Sequence, residues 1–145
     1  MAWHELDGPK VSPLRMVERD EALAGVVDVR TLEAAGESLA EGSDPVNIDW
    51  KLAAVRNSDG RAALSLTLAG SLPMTCQRCL EVFDWPLDQE TRVLVARNDA
   101  ELKALDDATD DEVILGSDEI GAHVLVEDEL LLSMPFAPVH PGACP

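Results

Sequence analysis

Two cysteines separated by two residues, Cys76 and Cys79, are the feature of this sequence that most limits how the chain can fold. A Cys-x2-Cys pair presents two thiolates to one ion from a single turn, and a tetrahedral zinc site then needs two further ligands. The third cysteine of the chain, Cys144, lies four residues after His140. These four residues therefore predict a zinc site that joins the middle of the chain to its last residues.

Three interpretations of the cysteines remain open: a closed structural zinc site, a redox-active pair, and small core residues that are unrelated to one another. The redox interpretation lacks its usual context, because such a pair opens a helix after a strand. Here Cys76 and Cys79 lie between two segments that alternate as strands do. Four soft ligands would also leave no position for a catalytic water. We therefore favour zinc with a structural role.

Alternating apolar and polar residues predict an antiparallel sheet. In residues 46–54 and 62–68 the apolar side chains recur at every second position, which is the pattern of half-buried strands. Residues 57–60 form a turn signal between them and predict a hairpin. Two more strand-like segments follow, at residues 82–87 and 91–97. We expect an antiparallel meander or an open, barrel-like sheet.

The C-terminal part of the sequence predicts one long helix. Ser117 can serve as its N-cap, Asp118 and Glu119 suit its positive end, and Pro135 stops it after Met134. Apolar residues nearly surround the axis of this helix, so it should pack against the sheet on a broad front. The predicted fold class is α+β, with a sheet packed by one long C-terminal helix and a zinc-knuckle-like site.

The chain of 145 residues is expected to form a single domain, residues 1–145. Proline, glycine and mixed charge in residues 1–23 predict an extended lead-in. The many Asp and Glu residues in 98–117 predict a solvated acidic loop, with a short strand inside it at Val113–Leu115. The sequence shows neither a membrane-spanning apolar run nor a signal peptide at its start. We therefore expect a cytoplasmic protein that is not bound to membranes.

The charge of the chain restricts its partners. It has 28 acidic and 11 basic residues and a net charge of −17. Such a surface repels phosphate backbones and favours a basic protein partner. The acidic run at residues 106–112 lacks the ligand order of an EF-hand, and a solvated face is the better interpretation. The sequence contains no phosphate-binding glycine loop and no serine nucleophile motif, so we do not expect an enzyme.

Two segments of the sequence resemble the YceD family, whose members are named for the accumulation of large-subunit ribosomal RNA. The first segment is Cys76-Gln77-Arg78-Cys79, and the second runs from Val126 through Pro135 to His140. The resemblance covers residues 46–144. It implies a non-enzymatic role in the accumulation of 23S-type rRNA and in the biogenesis of the large ribosomal subunit.

The resemblance and the charge together suggest indirect action through a basic ribosomal protein or a pre-ribosomal particle. We expect the partner to bind carboxylates of the acidic region and of the C-terminal helix, namely Asp106, Asp107, Asp110, Asp111, Glu112 and Glu127. The alternative is a zinc module that binds RNA directly, with Trp85 as a stacking surface beside Arg78, Arg92 and Arg97. A Cys-x-x-Cys redox protein ranks behind both.

Overall fold

The computed structural model describes residues 8–57, 59–109, 112–135 and 137–145. The strands in these ranges are β1 (Lys10–Val11), β2 (Ala22–Asp28), β3 (Asn47–Arg56), β4 (Ala62–Thr75), β5 (Val82–Ala96), β6 (Val113–Leu115) and β7 (Ile120–Gly121). The α-helices are α1 (Pro13–Arg19), α2 (Glu33–Glu37), α3 (Asp99–Ala108) and α4 (Ala122–Ser133). The fold is α+β, with a sheet that is mostly antiparallel.

The main sheet in the described part of the chain has five strands, in the order β2-β3-β4-β5-β6. Neighbouring strands are antiparallel except for β5 and β6, which are parallel. The predicted hairpin is present as β3 and β4. Its turn is stabilised by Asn57, whose Oδ1 accepts hydrogen bonds from the backbone N–H groups of Asp59 and Arg61. The sheet is open, with β2 and β6 at its edges.

Strands β4 and β5 form a long two-stranded ribbon, which we call the β4–β5 ribbon. Its paired residues run from Ala63 opposite Leu94 to Thr75 opposite Val82. At about 3.3 Å per residue, these two ends lie about 40 Å apart. The ribbon therefore carries two separate regions of the molecule, one at each end.

The core lies mainly on one face of the sheet. Alternate residues of β3 and β4 point into it, including Ile48, Leu52, Leu64, Leu68 and Leu72, each no more than 1% exposed. Helix α4 covers this face with the side chains of Leu125, Val126 and Leu130, which belong to the same buried cluster. Near the end of β5 the opposite face is covered too, since Ala63, Leu94 and Ala96 pack with Leu105 of α3. That second layer explains why four consecutive residues at the end of β5 are buried.

The prediction of one long C-terminal helix from Ser117 is wrong. Helix α4 begins at Ala122 and has 12 residues. The residues before it, Ile120 and Gly121, instead form β7, which pairs with Val11 and Lys10 of β1. Pairing with a strand more than a hundred residues earlier competes with helix formation, and a sequence pattern read locally does not show it.

Two loop predictions also need correction. Residues 98–117 contain β6, which is the predicted short strand, but also helix α3, which the loop prediction missed. The helix is capped by Asn98, whose Oδ1 accepts a 2.8 Å hydrogen bond from the N–H of Glu101. The lead-in, residues 1–23, contains α1, which has Pro13 in its first turn, a position where the missing N–H costs nothing. Residues 1–7 of the lead-in lie outside the described residues. In the part that the structure describes, no helix has the length and hydropathy needed to cross a membrane.

Candidate metal centre

The turn at the end of the β4–β5 ribbon places Cys76 and Cys79 side by side. The N–H of Cys76 donates to the carbonyl of Glu81 at 2.9 Å, and the carbonyl of Cys76 accepts a 2.8 Å bond from the N–H of Leu80. Leu80 adopts a left-handed conformation with φ of 67°, which is uncommon for a residue with a side chain. These two bonds close the turn, so that both thiols face the same space.

The last residues of the chain, which we call the strap (residues 137–145), are fastened to this turn by hydrogen bonds. The N–H of Gln77 donates to the carbonyl of Pro138 at 2.9 Å. The guanidinium of Arg78 donates to the carbonyls of His140 and Gly142 at 2.8 and 2.7 Å. The His140 ring also packs on Phe83, with ring centroids 4.7 Å apart. These contacts bring the strap to the cysteines.

The four predicted ligands meet in one place. One ligand atom from each of Cys76, Cys79, His140 and Cys144 lies within 4.8 Å of the others. The Sγ atoms of Cys76 and Cys144 are 3.7 Å apart, and Sγ of Cys79 is 3.5 Å from Nδ1 of His140. In a tetrahedral zinc site neighbouring ligand atoms are about 3.5–3.8 Å apart, given metal bonds of about 2.0–2.3 Å. The cluster is therefore close enough to hold a metal ion.

The thiols of Cys76 and Cys144 differ in pKa because their surroundings in the cluster differ. Burial raises the pKa of Cys76, but hydrogen bonds with backbone groups, those of Cys79 and His140 foremost, outweigh it and lower this pKa to about 5. Burial raises the pKa of Cys144 to about 11, and contacts with the other two thiols act in the same direction. Several thiolates in one site repel one another. A bound divalent cation removes that repulsion, and its binding releases protons.

The donor set determines what this centre can do. Three thiolates and one imidazole are a set that structural zinc sites use, and four protein ligands leave no position for water or substrate. Cys76 is buried while the other three ligands are half-buried. The two cysteines of the pair lie between two strands and do not open a helix, unlike the pairs of thioredoxin-like proteins. The arrangement suits the fastening of the strap to the ribbon.

The acidic residues predicted to bind a partner fall in different surroundings. Asp106 and Asp107 lie exposed in the last turn of α3, and Glu112 lies exposed directly before β6. Asp110 and Asp111 lie outside the described residues. Helix α3 packs against both β5 and β6, so the first three carboxylates belong to one side of the molecule.

Glu127 has a partner within the chain. Its Oε2 accepts hydrogen bonds of 3.1 Å from the backbone N–H groups of Ala34 and Ala35. These N–H groups lie in the first turn of α2, where backbone donors lack partners inside the helix. The carboxylate therefore joins α4 to α2, which gives Glu127 a structural role within the chain.

The residues predicted for direct RNA binding do not form one surface. The side chain of Arg78 holds the strap. Along β5 the odd-numbered side chains are half-buried or buried and the even-numbered ones are exposed up to Arg92. Trp85 therefore packs against the core, while Arg92 lies on the other face of the strand. Arg97 follows the far end of β5, about 50 Å along the strand from Arg78 at about 3.3 Å per residue.

Sequence reasoning identified the four residues that cluster here but missed the residues that hold them together. Gln77, Arg78 and Phe83 hold the strap through a backbone bond, two guanidinium bonds and a ring contact. These residues lie within four positions of Cys79 in the sequence, which could have suggested a role beside the cluster. Position in sequence does not show, however, which distant segment they contact. The sequence also gave no sign that Arg97 lines a cavity with two other arginines at the opposite end of the ribbon.

Comparison with known proteins identifies the family. A family model described as "Large ribosomal RNA subunit accumulation protein YceD" matches residues 64–145. This range contains nearly all of the ribbon, the four candidate ligands and α4. No solved structure matches the chain. The match covers more than half of the sequence, and the chain therefore belongs to the YceD family of large ribosomal RNA subunit accumulation proteins.

Proposed function

We propose that this chain is a non-enzymatic factor that supports the accumulation of 23S-type rRNA in the cytoplasm by acting on a basic partner of the large ribosomal subunit. The observation that carries the proposal is the family match over residues 64–145, since the family is described by that role. The partner is a basic ribosomal protein, free or within a pre-ribosomal particle.

The charge of the chain supports action through a protein. With a net charge of −17, the chain repels a polyanion at long range and attracts a polycation. Direct binding of RNA depends on many Lys and Arg contacts with phosphates, and this chain has 11 basic residues in all. A basic ribosomal protein has the complementary charge and must reach rRNA without aggregating first.

The end of α3 is the docking surface that we propose for this partner. Asp106 and Asp107 are exposed in its last turn, and the helix has no basic residue there. The C-terminus of a helix carries partial negative charge, so carboxylates at that position are unfavourable by about 0.3–1 kcal/mol each. A lysine or arginine of the partner would relieve this repulsion. Glu112, exposed before β6, extends the same surface.

We propose zinc as the ion of the Cys and His cluster, with a structural role. The sulfur and nitrogen donors suit zinc, and their spacing fits tetrahedral geometry. Zinc would hold the strap against the ribbon and keep the far end of the sheet ordered while α3 and its surroundings bind the partner.

A binding experiment tests this function. The full chain, immobilised at physiological salt, is expected to retain a basic large-subunit ribosomal protein or a pre-ribosomal particle. The combined variant Asp106→Asn, Asp107→Asn, Glu112→Gln should lose most of this binding, because it removes the proposed docking charges.

A control variant with an equal change in charge is Glu37→Gln, Glu41→Gln, Asp88→Asn, whose carboxylates are exposed on other elements; it should bind as the unaltered chain does. Equal losses in both variants, or no retained ribosomal component, would count against the proposal. Retention of protein-free rRNA with a steep salt dependence would support direct RNA binding instead. In cells, depletion of the chain should lower the level of 23S-type rRNA.

A further inference from the structure

A cavity of about 600 Å³ lies at the end of the β4–β5 ribbon that is opposite the candidate metal centre. Three arginines line it, Arg56, Arg61 and Arg97, together with the carboxylates of Glu18 and Glu101. These arginines are three of only 11 basic residues in a chain with 28 acidic ones. Three arginine side chains therefore gather at one cavity of a molecule whose net charge is strongly negative.

The register of the sheet brings these arginines together. Arg56 is the last residue of β3, Arg61 immediately precedes β4, and Arg97 immediately follows β5. Arg56 pairs with Ala62, and the next residue of β4 pairs with Leu94 near the end of β5. The three side chains therefore start from three adjacent strand termini at one end of the sheet.

The three guanidiniums have no carboxylate partners among the described residues. The ion pairs found there are Arg15 with Glu21 and Arg92 with Glu90. Arg56 donates a 3.1 Å hydrogen bond to the carbonyl of Gly60, which holds its side chain near the hairpin turn but does not neutralise it. Like charges that line one cavity repel each other, and an anion bound between them removes that repulsion.

The other walls of the cavity are apolar. Leu14 and Val17 come from α1, Val95 from β5 and Leu105 from α3. A volume of about 600 Å³ lies within the range of about 300–1,000 Å³ that small-molecule sites occupy. Arginine donates two parallel hydrogen bonds to phosphate oxygens, and apolar walls suit a flat ring. Cations and apolar walls in one cavity match the two halves of a nucleotide.

We propose that this cavity binds a small phosphate-bearing ligand of nucleotide size, with Arg56, Arg61 and Arg97 holding the phosphate. A single nucleotide suits the site better than an RNA strand, because the remaining surface carries a large negative charge that repels a polyanion. Helix α3 contributes to both sites, but the arginines proposed here are different residues from the carboxylates proposed to bind the ribosomal partner, so variants can test each proposal by itself.

Equilibrium binding to the full chain tests the site, with AMP, ATP, GMP and GTP as probes and adenosine as the uncharged reference. At least one nucleotide is expected to saturate at one molecule per chain, whereas adenosine, which lacks phosphate, should bind at least about tenfold more weakly. Arg97→Gln and Arg61→Gln should each weaken binding about tenfold or more, since each removes charged hydrogen bonds to phosphate.

Two control variants make this test specific. Arg92→Gln has the same change in charge but lies outside the cavity lining, and it should leave nucleotide binding unchanged. Glu101→Gln removes a carboxylate from the lining and should tighten binding, the opposite direction to the arginine variants. Thermal unfolding of each variant checks that it remains folded, and two separate arginine variants keep the test valid if one does not.

Three results would overturn the proposal. The first is the absence of saturable binding for all four nucleotides at millimolar concentration. The second is an equal loss of binding in Arg92→Gln and in Arg97→Gln. The third is binding of a short single-stranded RNA that depends on Arg97 when no mononucleotide binds, because this would assign the arginines to an RNA strand.

Discussion

The two ends of the β4–β5 ribbon, one with the candidate metal centre and one with the arginine cavity, differ in how their charged side chains are paired. Arg78 at the end with the candidate metal centre, and Glu127 on α4, are both engaged by backbone groups of the same chain. At the arginine end, Arg61 and Arg97 have no ion pair within the described residues. The difference separates charges that fasten the fold from charges that have no ion pair within the described residues.

This contrast changes how the predicted site residues should be interpreted. Arg78 and Glu127 stand out in the sequence as possible contacts for RNA or a protein, but both fasten one segment of the chain to another. Asp106 and Asp107, on α3 beside the arginine cavity, remain exposed. Binding of other molecules should therefore concentrate around α3 and the arginine end, and changes at the metal end should act through stability.

The strongest test of this contrast is removal of the metal. For an ion supplied at a thousand times its dissociation constant, binding stabilises the folded state by about 4 kcal/mol. Cys144→Ser should abolish most of that stabilisation and lower the metal content from one equivalent per chain to near zero. Elemental analysis and thermal unfolding, each with and without chelator, measure these effects.

Cys76→Ser should have the same effect as Cys144→Ser, whereas His123→Ala, at a histidine outside the cluster, should leave the metal content unchanged. One equivalent of metal retained in Cys144→Ser would show that Cys144 is not a required ligand. Amide hydrogen exchange after chelation should rise first in residues 70–88 and last near the paired residues Ala63 and Leu94. If amide protection were instead lost equally along the whole ribbon, the metal would not act mainly on the end that carries the cysteines.

The second largest effect is expected from Glu127→Ala. This change leaves the N–H groups of Ala34 and Ala35 without their carboxylate acceptor, and such a loss costs about 1–3 kcal/mol. Urea unfolding should show the decrease, while binding of the ribosomal partner by the folded variant should be unchanged.

Asp128→Ala is a matched control for Glu127→Ala, since it removes a neighbouring exposed carboxylate for which the structure gives no hydrogen bond. It should not lower stability. If Glu127→Ala kept full stability but lost partner binding, Glu127 would belong to the docking surface after all.

A smaller effect of opposite sign is expected at the end of α3. Asp106→Asn with Asp107→Asn removes two negative charges from the helix C-terminus and should stabilise the free protein by about 1 kcal/mol in total. The same variant should bind the basic partner more weakly. A chain that gains stability while losing function would identify charges retained for binding. Destabilisation in urea would contradict the helix-terminus argument.

The smallest effect concerns pH. Asp128 is exposed overall, but partial burial of its carboxyl raises its pKa above the ordinary value of 3.8, helped by the charge of Glu127. Partial burial likewise raises the pKa of Glu129 above 4.5. A raised pKa in the folded state means that folding favours the protonated form. The stability from protonation is therefore complete below the ordinary values and is lost as the pH rises through the folded pKa values.

Asp128→Asn with Glu129→Gln should flatten this dependence. The variant should be slightly more stable than the unaltered chain at neutral pH, and the difference should vanish in acid. Denaturant unfolding between pH 3 and pH 7 would measure it. A variant that lost stability only at neutral pH would show that the charged carboxylates stabilise the fold.

Sequence reasoning worked where one local pattern determines the structure. The period of two in β3 and β4 fixes which side chains face the core, and the metal-binding chemistry of thiols and imidazole pointed to the four residues that the structure brings together. It failed where pairing with a distant segment overrides a local helix signal. At β7, pairing with β1 keeps Ile120 and Gly121 extended, so α4 begins only at Ala122. Helix α3 carried a signal in Asn98 and Glu101, but its acidic composition favoured a loop. The arginine cavity depends on strand register, which composition does not show.

The positions of the four ligands along the chain have a consequence for folding during synthesis. Cys144 lies 68 residues after Cys76, and His140 lies 61 residues after Cys79. A growing chain that has emerged only as far as the ribbon offers two sulfurs, which hold zinc far less firmly than four. Bringing residues so far apart in sequence together costs chain entropy. Folding of the intervening β5, α3 and α4 has already ordered this part of the chain, so little of that cost remains when the four residues meet. On the proposal that zinc fills this cluster, metal loading would report that the domain has been completed, and a truncated or misfolded chain would remain metal-poor and open to proteolysis.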